Sequence, residues 1–315
     1  MLSFFITDII IHSLCLVTGI TGNSFILIVH LLDWLRTHDY NPCNLILSAI
    51  AISNIFLQGS VVFQEFAFVL FFDFYIQGRI TVILIVIITS LSLSSLWSST
   101  VLCFYYCVKI LQLRGNLFYK LKVRLPVLVP WLLAFSFVLS WCVAITSYWD
   151  MYMDLSFATT NITGNLTNIM VHEYKSKCNC VFQLYNFVAS VAFFLILVTA
   201  GAVITSLCRH MRRMRQDSEG TGHPRISSHL SAARTMTCLL VIYLIFFAAF
   251  ALLNDPSGPA DEIIITLNLI CITLFPTVNC SILILGNRKL TNVLKKLLCM
   301  QSGPGNTEVT VTTFQ

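Results

Sequence analysis

The feature that most constrains this chain is a series of seven long apolar stretches separated by short polar breaks. A helix needs roughly 20 consecutive apolar residues to cross a bilayer core of about 30 Å, and each stretch reaches that length. The stretches lie at residues 9–32, 45–71, 80–108, 126–149, 181–207, 231–253 and 263–286. The sequence therefore predicts an all-α bundle of seven membrane-spanning helices.

The composition agrees with a membrane protein and argues against the soluble classes. Charged residues make up 10% of the 315 residues and hydrophobic residues 57%, whereas soluble domains carry about 25% charged residues. A soluble enzyme, a nucleic-acid binder and a disordered chain all fit poorly, so we expect no nucleic-acid partner. The twelve cysteines are scattered, and none forms a pair with zinc-ligand spacing. We expect no metal and no cofactor.

The segment after the seventh stretch predicts a helix lying on the membrane surface. Its apolar residues recur at helical spacing with lysines between them, a pattern typical of interfacial helices. The apolar positions are Leu290, Val293, Leu294, Leu297 and Leu298. We divide the chain into a bundle (1–286), an amphipathic helix (287–300) and a polar, disordered tail (301–315), and we expect membrane lipids as partners.

The basic residues predict the orientation of the bundle. Lysine and arginine concentrate in cytoplasmic loops, and sixteen of the nineteen lie in alternate loops on the side of the tail. The tail is thus expected in the cytoplasm and the N-terminus outside. Two glycosylation sequons, beginning at Asn161 and Asn165, fall in the loop that this orientation puts outside, and we predict glycosylation there.

The spans contain few of the groups that ion pathways need. Proton relays and ion paths appear as charged residues at membrane depth, and Glu65, near the outer end of span two, is the main one here. There is no inverted repeat with broken helices, as many transporters have. This pattern favours a receptor over a carrier.

The first half of the chain contains several short motifs in a fixed order. Span one contains Gly22–Ile26 (GNSFI) followed by Asp33-Trp34, and these resemble the G-N-x-F-I and D-W of the taste receptor type 2 family, the bitter taste receptors. Span two contains Ile46–Ser53 (ILSAIAIS), similar to I-L-x-x-L-A-x-S. Span three ends in Trp97–Leu102 (WSSTVL) and Tyr105–Ile110 (YYCVKI), similar to W-x-x-T-x-L and F-Y-x-x-K-I-A.

The second half continues the resemblance in the same order. Phe118–Arg124 is similar to F-x-x-L-K-x-R, Ser206–His210 to S-L-x-x-H, and His229–Thr235 to H-x-x-A-L-K-T. Pro276-Thr277 and Leu283–Leu290 (LILGNRKL) are similar to P-S and L-I-L-G-N-x-K-L. Four positions depart from the family: Asn54 replaces its usual Arg, Asn279 its His and Cys280 its Ser, and Arg234 replaces its Lys, which keeps the charge. The polar network built by that Arg and His must therefore be rewired in a divergent member.

The resemblance implies a G-protein-coupled receptor of the plasma membrane and not an enzyme. Its partners would be small, mostly apolar bitter agonists and a heterotrimeric G protein, namely gustducin or a related inhibitory-class α subunit. Two alternatives stay open. One is a related chemosensory or pheromone receptor. Calcium release in response to bitter agonists would distinguish a bitter taste receptor from it. The other is a small-solute transporter, which would move substrate in liposomes without a G protein.

Ligand recognition in a helical bundle is expected in an outward-facing cavity lined by aromatic and a few polar groups. Glu65 is either a counter-ion for an ammonium ligand or a carboxylate that snorkels to the interface. Thr89 and Ser92 face the cavity or bond back to their own helix. Asn268 is expected in the bundle interior. The candidate pocket walls are Phe187 and Phe194 in span five and Phe246 and Phe250 in span six.

The resemblance also implies a G-protein site on the inner face. Tyr106 and Lys109, at the inner end of span three, are the first candidates for coupling, and further candidates surround the cleft. These are Lys122, Arg124, His210, Arg212, Arg213 and His229. Basic residues at these places also fit a simpler interpretation, as topology signals and lipid-headgroup anchors.

Overall fold

A computed structural model of the chain describes residues 2–38, 41–70, 79–111, 116–162, 165–178, 180–217, 224–253 and 262–301. Nine helices and two strands occur within these ranges, and seven of the helices are long. The helices are α1 (Leu2–Thr37), α2 (Pro42–Leu70), α3 (Arg79–Ile110), α4 (Asn116–Ile145), α5 (Ser147–Asp150), α6 (Cys180–Asp217), α7 (Pro224–Leu253), α8 (Glu262–Gly286) and α9 (Arg288–Gln301).

The seven long helices coincide with the seven apolar stretches, which confirms the predicted bundle. In α1, α2, α3, α4 and α6 the described residues are long and apolar enough to cross a membrane. In α7 and α8 the described apolar segments are shorter, Arg234–Phe246 and Thr273–Gly286, although the helices themselves have 30 and 25 residues. The protein is a multi-pass membrane protein.

A β-hairpin connects the fourth and fifth spans. Strands β1 (Met151–Ile162) and β2 (Asn165–Ser176) pair antiparallel, with Met151 opposite Ser176 at the base and Ile162 opposite Asn165 at the tip. The base is tied to α5, because the backbone N–H of Cys178 donates to Asp150 Oδ1 at 3.1 Å. Cys178 and Cys180 form a disulfide. The sequence predicted only a polar loop here.

The third span is the centre of the bundle. It packs against α2, α4, α6 and α7, and 19 of its 32 residues are buried. Many of these are serines, whose small side chains allow neighbouring helices to approach closely. The first span closes the bundle by packing against both α2 and α8.

The last helix, α9, turns away from α8 at Asn287. The Asn287 side chain accepts the N–H of Lys289 at 3.0 Å, which caps the new helix in the way expected of asparagine. Leu290 is fully buried against the bundle, whereas Leu297 and Leu298 are about half exposed. Lys289 forms an ion pair with Asp33 of α1. The start of α9 is therefore bound to the first helix of the bundle and follows directly on the last.

Candidate functional site

Five of the seven long helices meet at a set of buried polar side chains in the middle of the bundle. We call this set the buried polar cluster. Its members are Asn23 of α1, Asn54 of α2, Ser95 and Ser99 of α3, Tyr243 of α7 and Asn279 of α8. Each is at most 2% exposed, so their hydrogen-bonding groups depend on one another and not on solvent.

One side of the cluster joins the first three helices. Asn54 Nδ2 donates to Asn23 Oδ1 at 3.4 Å, and Ser95 Oγ donates to Asn54 Oδ1 at 2.8 Å. Asn23 Nδ2 donates to the Gly19 carbonyl at 2.8 Å and lies 3.5 Å from the Pro276 carbonyl of α8. A residue of α1 is thereby bonded to a residue more than 250 positions later in the chain.

The other side of the cluster is centred on the hydroxyl of Tyr243. This hydroxyl donates to the Ser95 carbonyl at 3.1 Å and lies 2.7 Å from Ser99 Oγ. Asn279 Nδ2 donates to Ser95 Oγ and to the Tyr243 hydroxyl, each at 3.4 Å. Tyr243 therefore bonds α7 to both α3 and α8.

The cluster carries no formal charge, although it contains Asn54 and Asn279, which replace the Arg and His of the resembled family. Asn54 and Asn279 are both fully buried, where an unpaired charge would cost several kcal/mol. Amides meet the same demand for hydrogen bonds without that cost. Within the cluster, Asn279 Oδ1 is the one side-chain atom that has no hydrogen-bond partner among the described residues. The rewiring expected from the sequence thus takes the form of a neutral amide and hydroxyl network.

An aromatic stack extends the cluster along α7 and α8. The rings of Tyr243 and Phe275 are 5.0 Å apart and edge-on, and the rings of Phe275 and Phe246 are 4.5 Å apart. Phe246, a predicted pocket residue, is therefore held in the interior against α8. On α3, Ser92 is buried and Thr89 half-buried, one and two turns from Ser95.

The two predicted pocket residues of the fifth span lie elsewhere. The buried face of α6 contains Tyr185, Ala189, Ala192 and Ile196, which pack towards the bundle. Phe187 and Phe194 are about half a turn round the helix from this face, and they are 67% and 61% exposed. This placement argues against a role of Phe187 and Phe194 as pocket walls, because the face of α6 that packs against the bundle is the opposite one, which contains Ala189 and Ala192.

The side chains of several predicted site residues lie outside the described part of the structure. Those of Glu65, Phe250 and Asn268 at the ligand end, and of His210, Arg212, Arg213 and His229 at the inner end, lie outside the described residues. So do the side chains of Asn161 and Asn165, whose backbones stand at the tip of the hairpin. Lys122 and Arg124 are exposed at the start of α4.

At the inner end of α3, the two predicted coupling residues contact different partners. Lys109 Nζ donates to the hydroxyl of Tyr105 at 3.1 Å and lies 5.2 Å from the centre of its ring. Tyr106 is directed to α2, where its hydroxyl is 3.5 Å from Cys43 Sγ. Tyr105, which was not predicted, is one full helical turn before Lys109, and this i, i+4 spacing was the signal available in the sequence.

The comparisons with known proteins agree with this architecture. The family model of the taste receptor proteins (TAS2R) matches residues 1–302. The chain is similar to taste receptor type 2 member 9 of Pongo pygmaeus, with 28% identity over 289 residues and 90% of each chain covered. It is also similar to member 9 of Homo sapiens, 27% identical over 286 residues with 90% of each covered.

A third relative is taste receptor type 2 member 7 of Papio hamadryas, 28% identical over 286 residues with 89% of each chain covered. The similarity thus extends over nearly the whole chain and includes all seven long helices. The chain belongs to the taste receptor (TAS2R) family, which consists of seven-helix G-protein-coupled receptors and not of enzymes.

Proposed function

We propose that this receptor binds small, mostly apolar bitter compounds in an outward-facing cavity and activates a heterotrimeric G protein at its inner face. The observation that carries the proposal is the buried polar cluster, which bonds α7 to α3 and α8 through Tyr243. An element tied by a few neutral hydrogen bonds can adopt a second arrangement at small cost, since each bond contributes only about 0.5–1.5 kcal/mol.

The mechanism is a population shift between a closed and an open inner cleft. An agonist acts only by its higher affinity for the open state. It would bind above the cluster, near Thr89, Ser92 and Phe246, with Glu65, Phe250 and Asn268 as further contacts proposed from the sequence. Because Phe246 stacks on Phe275 and Phe275 on Tyr243, a ligand that moves Phe246 changes the packing of the cluster.

The inner face would receive the G protein. Tyr106 and Lys109 stand at the end of α3, the helix that the cluster bonds to α7, and the proposed partner is gustducin or another inhibitory-class α subunit. The remaining proposed contacts are Lys122, Arg124, His210, Arg212, Arg213 and His229. The site of action is the plasma membrane, with the C-terminus in the cytoplasm.

Tyr243→Phe is expected to raise agonist-independent signalling several-fold. The change keeps the ring stack but removes the hydroxyl that Ser99 and Asn279 contact, which weakens the closed arrangement more than the open one. The measurement is calcium release in cells that carry a promiscuous G protein, at matched surface expression. The same cells, screened with bitter compounds, test the proposed function itself.

Tyr148→Phe, a hydroxyl removed from an exposed position in α5, serves as the matched control and should behave as wild type. Unchanged basal signalling in Tyr243→Phe would remove the cluster from the activation mechanism. A chain that answers no bitter compound in the screen would contradict the proposed function.

Glycosylation at the hairpin is expected to report the orientation of the bundle. Asn161 and Asn165 lie opposite Leu166 and Ile162 at the hairpin tip, the point furthest along the strands from α5 and α6. Removal of N-linked glycans should increase the gel mobility of the wild type. Asn161→Gln and Asn165→Gln should each reduce the shift, and the double variant should abolish it. A wild type without any shift, beside a glycoprotein that does shift, would count against an outer hairpin.

Glu65→Gln is expected to weaken cationic agonists by roughly 10- to 100-fold. A desolvated hydrogen bond to a charged group contributes about 1.5–3 kcal/mol, and about 1.4 kcal/mol corresponds to tenfold. Neutral agonists should change little, because the substitution keeps the shape of the side chain. The measurement is a pair of dose–response curves with one cationic and one neutral agonist. Equal shifts in both curves would make Glu65 structural.

A further inference from the structure

A cavity of about 460 Å³ lies between the end of α1 and the start of α2, away from the buried polar cluster. Its described lining residues lie within 27–34 of α1 and within 41–48, at the start of α2, and comprise five apolar and four polar side chains. Ligand pockets commonly have volumes of about 300–1,000 Å³. The cavity is therefore large enough for a compact small molecule.

The mouth of the cavity is apolar and faces the surroundings of the bundle. Ile28, Leu31 and Trp34 line it and are 56%, 55% and 53% exposed. In a multi-pass membrane protein, exposed apolar side chains on a spanning helix contact lipid and not water. Any molecule that fills the cavity from this side has to come from the bilayer.

A hydroxyl with unused hydrogen-bonding capacity lies among the polar lining residues. Ser48 Oγ is 3.1 Å from Nδ1 of His30, a side chain only 5% exposed, and both residues line the cavity. A serine hydroxyl has one donor and two acceptor sites, and this contact uses one of them. His30 Nε2 has no partner among the described residues.

The imidazole exists in either of two neutral forms, and the form decides what Ser48 offers. If Nδ1 accepts from Ser48, the serine oxygen still has lone pairs to receive a hydrogen bond. If Nδ1 donates to Ser48, the serine hydrogen is available to a ligand. A ligand hydroxyl can donate and accept, so it matches both cases. This pair favours an occupant that carries a hydroxyl group.

Charge around the cavity argues against a phospholipid headgroup. Among the described residues that line the cavity there is no Lys, Arg, Asp or Glu. The nearby carboxylate, Asp33, is already paired with Lys289 and also accepts a hydrogen bond from Asn44 Nδ2 at 3.0 Å. A phosphate beside Asp33 would be repelled by its carboxylate, and Lys289 is already paired with that group. The occupant should be neutral.

We propose that this cavity binds a membrane sterol, a rigid apolar ring system with one hydroxyl, and that the hydroxyl bonds to the Ser48–His30 pair. The ring system would extend from that pair towards the bilayer centre, past Leu27 and Ile28, with Leu31 beside the hydroxyl. His30 precedes Asp33 by three residues, about 4.5 Å along the helix axis. The sterol hydroxyl would therefore sit just inside the charged end of α1, at the interface. The proposal is independent of the agonist and of the G protein.

The test is photolabelling of the purified receptor in nanodiscs with a photoreactive cholesterol analogue. We expect saturable labelling that maps to residues 27–48 and that unlabelled cholesterol displaces. Cholestane, which lacks the hydroxyl, should compete about two- to tenfold less well, the effect of one lost hydrogen bond. Phosphatidylcholine should not compete.

Two variants and two matched controls make the test specific. Ser48→Ala should weaken labelling about two- to tenfold, and Leu31→Trp, which fills the mouth from an exposed position, should remove most of it. Ser60→Ala, on the same helix as Ser48, and Leu14→Trp, at an exposed apolar position of the same helix as Leu31, are the controls. Leu14 is 61% exposed, and both variants should be labelled as strongly as the wild type. Absent labelling, labelling outside residues 27–48, equal competition by cholestane or phosphatidylcholine, or unchanged labelling of Leu31→Trp would overturn the proposal.

Discussion

Gly286→Ala is expected to destabilise the receptor strongly, although alanine is the better helix former. A Cβ atom at this position would collide with the hydroxyl of Thr235 and stand 2.8 and 2.9 Å from its Cγ2 and Cβ. Threonine is stiff because it is branched at Cβ, so relief requires α7 and α8 to separate. Overpacking of this kind costs about 1–3 kcal/mol.

Gly201→Ala is the matched control, since no atom lies within 4 Å of a Cβ built there. In an open helical position the same change stabilises a helix by about 1 kcal/mol. The two variants should therefore differ by about 2–4 kcal/mol, measured as thermal stability of the purified receptor and as surface expression. Thr235→Ala in the Gly286→Ala background should restore part of the loss. Equal stability of the two glycine variants would show that α7 and α8 are not in close contact here.

Tyr106→Ala is expected to abolish agonist-stimulated signalling while the receptor still reaches the cell surface. Tyr106 is half-buried at the inner end of α3 and contacts Cys43 of α2 through its hydroxyl. Its ring also packs on that of Tyr105 at 5.8 Å, the residue that holds Lys109. Loss of the aromatic side chain would remove this contact to α2 and the packing against Tyr105.

The measurement is a dose–response curve of calcium release at matched surface levels. Tyr106→Phe removes only the hydroxyl contact to Cys43 and should retain most of the response, which separates the role of the ring from that of the hydroxyl. If Tyr106→Ala signals like the wild type, coupling depends on other residues of the inner face. Lys109, through its bond to Tyr105, would be the next to examine.

The apolar stretches predicted the number and order of the long helices but not their ends. Hydropathy reports where a helix leaves the lipid, whereas backbone hydrogen bonding continues into the polar flanks. For this reason α6 extends to Asp217 and α7 begins at Pro224, well beyond the apolar limits 207 and 231. The sequence analysis did not predict the hairpin. Pairing of its strands between residues 151 and 176 depends on a register that no pattern in the polar loop sequence indicates.

The candidate site was predictable only in part. Asn54 and Asn279 drew attention as departures from the family pattern, yet their partners Ser95 and Tyr243 lie on other helices and follow only from the packing. Phe187 and Phe194 show the opposite limit. A phenylalanine suits lipid and protein interior equally, and the rotation of α6 is set by Ala189 and Ala192, whose small size permits close contact with α3.

The most direct test of the receptor account is GTP exchange on a purified heterotrimeric G protein by the receptor in nanodiscs. The assay contains no cellular transporter or second receptor, so any effect of a bitter compound is exerted through this chain. The account predicts that an agonist raises the exchange rate saturably and that Tyr106→Ala removes the increase. Absence of any exchange, together with flux of the same compound through receptor-containing liposomes, would contradict it.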